Sequence, residues 1–117
     1  MDLDVKTIQT IEAGKHNGTI TAVNRRNEQF DYMDYVIKLD DVDAELKCGV
    51  PTGISINRDG TPASKHAKLL NKLGLLEGEK VDPEQAVGKK IVFQTIDEEN
   101  NGSTFARVLP ESVKLAE

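Results

Sequence analysis

Residues 30–42, FDYMDYVIKLDDV, decide the fold. Met33, Tyr35, Ile37 and Leu39 fall at every second position, and Phe30, Tyr32, Asp34 and Lys38 occupy the other parity. A period of two describes a strand with one face on a core and the other in water, and no helical period fits as well. Asp40, Asp41, Val42 and Asp43 then make a polar turn. Residues 44–51, AELKCGVP, alternate again, with Leu46, Cys48 and Val50 inward and Glu45, Lys47 and Gly49 outward. Pro51 ends the run because it has no N–H to give a ladder. Two alternating runs across so short a turn predict an antiparallel hairpin.

Working upstream, residues 14–27, GKHNGTITAVNRRN, alternate β-branched with polar residues until Asn24-Arg25-Arg26-Asn27 breaks the pattern and reads as a turn. Ile20 and Val23 stand three apart, so both point inward only if a bulge resets the register. The Asn-Gly-Thr and Asn-Gly-Ser triplets at Asn17 and Asn101 read as turns rather than glycosylation acceptors, since no secretory signal precedes them. Residues 1–13 carry Val5, Ile8 and Ile11 at helix-like spacing and form an N-terminal arm whose structure the sequence leaves open; residues 14–117 form the domain.

Downstream, residues 52–64, TGISINRDGTPAS, have loop chemistry around a turn at Asn57-Arg58-Asp59-Gly60. Thr61 or Ser64 can cap the helix that follows, Leu69, Leu70 and Leu73 form its apolar stripe, and Gly74 stops it. Its other face carries Lys65, Lys68 and Lys72, and residues 61–76 contain no acid, so this face could meet phosphate. Asp82-Pro83-Glu84-Gln85 predicts one helical turn. Residues 89–96 read as a fourth strand and residues 103–109 as a fifth, joined through Asn101-Gly102, with Pro110 closing the sheet before a short tail.

Three strands, a helix and two strands predict an all-β domain, a five-stranded Greek-key barrel of the OB type with the helix between strands 3 and 4. An open antiparallel sheet with a helix packed on it accommodates the same string of elements. The chain has 117 residues, 38% hydrophobic and 30% charged, which fits one domain of ordinary soluble composition. No apolar run reaches the ~18 residues of a membrane span, and the acidic N-terminus is no secretory signal, so the expected location is the cytoplasm and no membrane partner is expected. The net charge of -5 argues against a strongly basic nucleic-acid coat, yet leaves room for a local positive groove.

Catalysis finds no anchor. His16 and His66 are far apart and lie in no nucleophile or metal motif, the acid pairs Asp40-Asp41 and Glu98-Glu99 sit in turns, and no phosphate-loop, dinucleotide or zinc signature occurs. No cofactor and no metal is expected, and the lone Cys48 fits a core position. Binding of single-stranded nucleic acid asks for aromatic faces and cations, and both occur together. Phe30 and Tyr32 lie on the non-core parity near Arg25 and Arg26, with Lys38 and Lys47 on the same outward parity. Covering an open barrel end or a dimer contact is the competing use of the two aromatics. Arg58, in the loop before the helix, and Arg107, which shares its parity with Phe105, complete the candidate phosphate contacts; for these, solvated surface charge is the alternative.

The chain resembles a group of phage and prophage OB-fold proteins regarded as single-stranded DNA-binding and associated with replication and recombination. The likeness spans residues 12–113 and is carried by the order of EAGKHNGTITAV, YVIKLDD, GVPTGIS, SKHAKLLNKLGL, VGKKIVF and FARVLP. It implies an OB barrel, sequence-tolerant binding to single strands, replication or recombination proteins as partners and, for a phage-encoded chain, the host cytoplasm; a homo-oligomer stays open. Bacterial single-strand binders often end in an acidic recruiting tip, whereas this chain ends SVKLAE. The reading from residues and resemblance together is a non-catalytic single-stranded DNA-binding protein; the alternative is an OB-fold interaction or structural subunit of a larger assembly, and an enzyme ranks third.

Overall fold

The computed structural model describes residues 1–3, 11–77, 81–100 and 102–116. Among them six strands, β1 (Gly14–Asn27), β2 (Asp31–Leu39), β3 (Glu45–Pro51), β4 (Lys90–Asn100), β5 (Ser103–Val108) and β6 (Lys114–Leu115), make one antiparallel sheet in the order β3-β2-β1-β4-β5, with β6 also on β4. The described residues are all-β with one α-helix, α1 (Lys65–Lys72), between β3 and β4. β3 and β5, the two ends of the path, lie against each other, but no ladder joins them among the described residues, so the sheet is not closed into a barrel.

The expected bulge in β1 is present: the register against β2 shifts between Ile20 and Ala22, which buries Ile20 and half-buries Val23. Asn24 to Asn27 correct the expectation of a turn. They continue β1, with Arg25 opposite Met33 and Arg26 opposite Tyr32, because the long strand pairs with β2 past the edge of the core, where polar side chains lose nothing by being in a ladder. Asn17 and Gly18 likewise lie within β1 and not in a turn. Gly18 pairs with both Leu39 and Ile91, and an added Cβ would stand 2.6 Å from Ile37 Cγ2 and 2.8 Å from the Lys38 carbonyl oxygen. The glycine is there because two strands close on it, not because the chain turns.

The alternation in β2 and β3 holds. Tyr35, Ile37, Leu39, Cys48 and Val50 are buried with Ile20, Ile91, Phe93, Val108 and Val113 in one core. Val36 and Asp34, on the outward parity of β2, are also buried. Phe30 precedes β2 and is 69% exposed, so it belongs to the turn and not to the strand face.

Ser64 caps α1 by accepting from the Ala67 N–H, and Leu69, Leu70 and Leu73 are buried beneath it. Gly74 at φ +74 ends it: Gly74 N–H donates to the Asn71 carbonyl and Leu75 N–H to the Leu70 carbonyl, the paired closure that satisfies the last free carbonyls. Residues 83–86 form a 3-10 turn capped by Asp82. The β4–β5 hairpin closes through two residues, with Asn100 opposite Ser103 and Gly102 at φ +80; Asn101 lies outside the described residues, as do Val5 and Ile8 of the N-terminal arm, while Ile11 packs against the core. Beyond Pro110 the expected tail is instead a second 3-10 turn, the buried Val113 and β6, which pairs Leu115 with Ile91 and Lys114 with Val92. A two-residue strand has too short a period to read. Among the described residues no helix is long and apolar enough to cross a membrane.

Candidate nucleic-acid interface

Directly opposed residues of an antiparallel pair point to the same side of the sheet. Arg26, Tyr32 and Pro51 therefore form one outward row across β1, β2 and β3, and Asn24, Asp34 and Gly49 form the next. Arg26 lies over the Tyr32 ring, its guanidinium carbon 5.1 Å from the centroid, and its Nε donates to Asp34 Oδ2 at 2.9 Å and Nη2 to Oδ1 at 3.3 Å. The carboxylate fits because residue 49 has no side chain: an added Cβ would meet Asp34 Oδ1 at 2.8 Å. In the sequence Gly49 read only as an outward position of an alternating strand; a glycine inside a strand is a usual mark of close approach, and here the approaching group is Asp34.

Tyr32 opens onto a groove of about 650 Å³ between α1 and the β3–β5 seam, floored by Gly49, Pro51, Leu69 and Leu109. Lys65, Lys68 and Lys72 of α1 line one side and Arg107 of β5 another, with Glu111 the one carboxylate among the lining residues. Spacings of three and four residues set the three lysines on one face of the helix. Lys65 and Lys68 are exposed and make no ion pair among the described residues; Lys72 Nζ donates to the Glu111 carbonyl oxygen. Arg107 stands 3.7 Å from Glu98 in an exposed pair.

The predicted contacts divide. Tyr32 and Arg107 line the groove, and Arg26 supports Tyr32 from beside it. Lys38 and Lys47 share the outward parity, opposite Glu45 and Val36, but lie farther along the strands and outside the groove. Arg25 is on the other side of the sheet from Arg26, because neighbours on a strand point oppositely. There it holds Asp31 through two hydrogen bonds of 2.9 and 2.6 Å, and this contact with help from the Thr52 hydroxyl lowers the Asp31 carboxyl to about 2. Phe30 and Arg58 are exposed, Phe30 in a bend and Arg58 in a turn, and neither is among the residues that line the groove. Phe105 and Arg107 are both on the outer face of β5, opposite Glu98 and Ile96. The lysines of α1 were visible as an acid-free run, but their meeting with Tyr32 depends on where the helix docks.

Other polar groups are committed to structure. His66 is fully buried between Tyr35 and the Thr52 carbonyl. Burial pushes the Cys48 thiol up to about 12, which leaves it protonated and inert. Among the described residues no three His, Cys, Asp or Glu side chains converge as a metal site would require. A scan against protein-family models gave no match to the chain, and a search of curated proteins gave none.

Proposed function

We propose that the protein is a non-catalytic OB-type single-stranded DNA-binding protein acting in replication or recombination, with DNA lying in the groove between α1 and the outer row Arg26-Tyr32-Pro51. The strand order, with β1 between β2 and β4, β3 and β5 facing each other and the helix between β3 and β4, supports the OB reading. The observation that carries the function is the half-buried Tyr32 ring, which meets the groove with a cation already beside it. A base stacked on such a ring contributes ~1–3 kcal/mol whatever its identity, and phosphates meet Lys65, Lys68 and Arg107. Phage origin and a cytoplasmic setting belong to the same proposal and rest on the resemblance described above. Anisotropy of a labelled oligo-dT at two salt concentrations tests it: tight binding at low salt that weakens steeply with salt, and a ~5- to 150-fold loss in Tyr32→Ala, are expected. No binding at low salt overturns it.

A second reading, an interaction subunit of a larger assembly, is favoured by one feature. Ile96 and Phe105 are 41% and 45% exposed on the β4–β5 hairpin, beside Asp97, Glu98 and Glu99. Acids repel phosphate, so this arm suits a protein partner better than DNA. Light scattering of Phe105→Ser against wild type reads a self-association there.

A further inference from the structure

We infer that the nucleic-acid path does not end in the Tyr32 groove but continues past Lys72 across the outer face of β4 to Lys15 and Lys114. This rests on the single-strand reading above and extends it to a second basin. A second depression of about 530 Å³, lined by Lys15, Val92, Gln94, Ser112 and Lys114, shares Lys72, Leu109 and Glu111 with the first. The two are thus contiguous. Lys15 is opposite Gln94 and Lys114 opposite Val92, and Val92 and Gln94 are two apart on β4, so both lysines project from the same outer side. Both are exposed, and neither makes an ion pair among the described residues.

The lining residues of the two depressions include Lys65, Lys68, Lys72, Arg107, Lys15 and Lys114 and one carboxylate, Glu111, with Glu98 3.7 Å from Arg107 just outside them, on a chain whose net charge is -5. Such a separation of sign focuses a polyanion along one line while the rest of the surface repels it. The stacking ring stands at one end of the line and no aromatic surface is open at the other, where Phe93 is buried. The second basin therefore holds backbone rather than bases, and engages only strands long enough to reach it.

The experiment compares wild type with Lys15→Gln/Lys114→Gln, using labelled oligo-dT of ~4 and ~12 nucleotides, a short and a long length within the ~4–16 nucleotides usual for one such domain. Each phosphate contact on a single strand contributes ~0.7 to the slope of log affinity against log salt. The expected result is a slope smaller by ~1.4 for the long oligonucleotide and unchanged for the short one. An unchanged slope on the long oligonucleotide, with wild-type binding intact, overturns the second basin alone. An equal fall on both lengths also overturns it, since the lysines would then act as general field and not as a continuation. Failure of wild type to bind either length removes the single-strand reading itself, and this inference with it. Both side chains are exposed, and a matching thermal melt verifies that the variant is folded.

Discussion

The hydroxyl of Tyr35 lies 2.5 Å from His66 Nε2, and His66 Nδ1 lies 2.8 Å from the Thr52 carbonyl oxygen. A carbonyl only accepts, so Nδ1 carries the hydrogen, Nε2 is the acceptor, and Tyr35 donates to a neutral imidazole. The pair fastens α1 to β2, a polar joint beside a largely apolar core.

Burial lowers the His66 pKa below its ordinary 6.5, against the raising effect of its bond to Thr52. Below the ordinary value the unfolded chain takes up a proton that the folded chain refuses, so stability falls as pH drops from there toward the lowered folded value. Urea unfolding at about pH 7.5 and about 5.5 is expected to give less stability at the lower pH. In His66→Phe that dependence disappears, at a cost of ~1–3 kcal/mol for the Tyr35 hydroxyl left without a partner. The loss tied to Asp31 is separate: its carboxyl moves from 3.8 down to about 2, so its contribution is present above the former and disappears only on further acidification toward the latter.

Gly18→Ala is expected to destabilise by ~1–3 kcal/mol or more, because the new methyl meets a backbone carbonyl that cannot turn aside. Gly53→Ala, at a position where an added Cβ meets nothing within 4 Å, is the matched control and leaves the melting temperature close to wild type. If Gly18→Ala melts with the control, the close approach of β1 to β2 is wrong.

Arg25 and Arg26 are neighbours with opposite expected behaviour. Arg26→Leu removes the partner of the buried Asp34 and the support of Tyr32, so it lowers both the melting temperature and oligo-dT affinity. Arg25→Leu breaks an exposed pair on the other side of the sheet and leaves affinity unchanged. Equal losses of affinity in the two variants would show that charge alone, and not the face, is being read.

Cys48 is 2% exposed and its thiol is held protonated by burial, so it should resist a thiol-directed alkylating reagent at pH 8 in native buffer and react at once in denaturant. Native reactivity would place it outside the core.

The inward residues of the period-two strands, Tyr35, Ile37 and Leu39 of β2 and Cys48 and Val50 of β3, were legible, and so was the bulge forced by Ile20 and Val23, but the burial of Asp34 and Val36 on the outward parity was not. Signals that depend on the partner strand were not. Asn17-Gly18 carries the same letters as a turn, but its glycine answers to Ile37 and Lys38, both of which come later in the chain. Arg25 and Arg26 looked like one basic pair because sequence adjacency does not reveal which side of a strand extended past its core each residue takes. β6 escaped because pairing with β4, and not any pattern of its own, makes it a strand. In the groove, Tyr32 followed from parity, whereas its meeting with the α1 lysines is set by Leu69, Leu70, Leu73 and the His66 joint.

The unbonded seam between β3 and β5 gives the molecule one mechanically soft direction. Widening a hydrogen-bonded barrel means breaking a ladder, but parting these two edges breaks none among the described residues, and the cost is side-chain packing alone. The groove floor lies on that seam. Its width can therefore change while β1, β2 and β4 stay in register, so the fold is mechanically a clasp and not a tube.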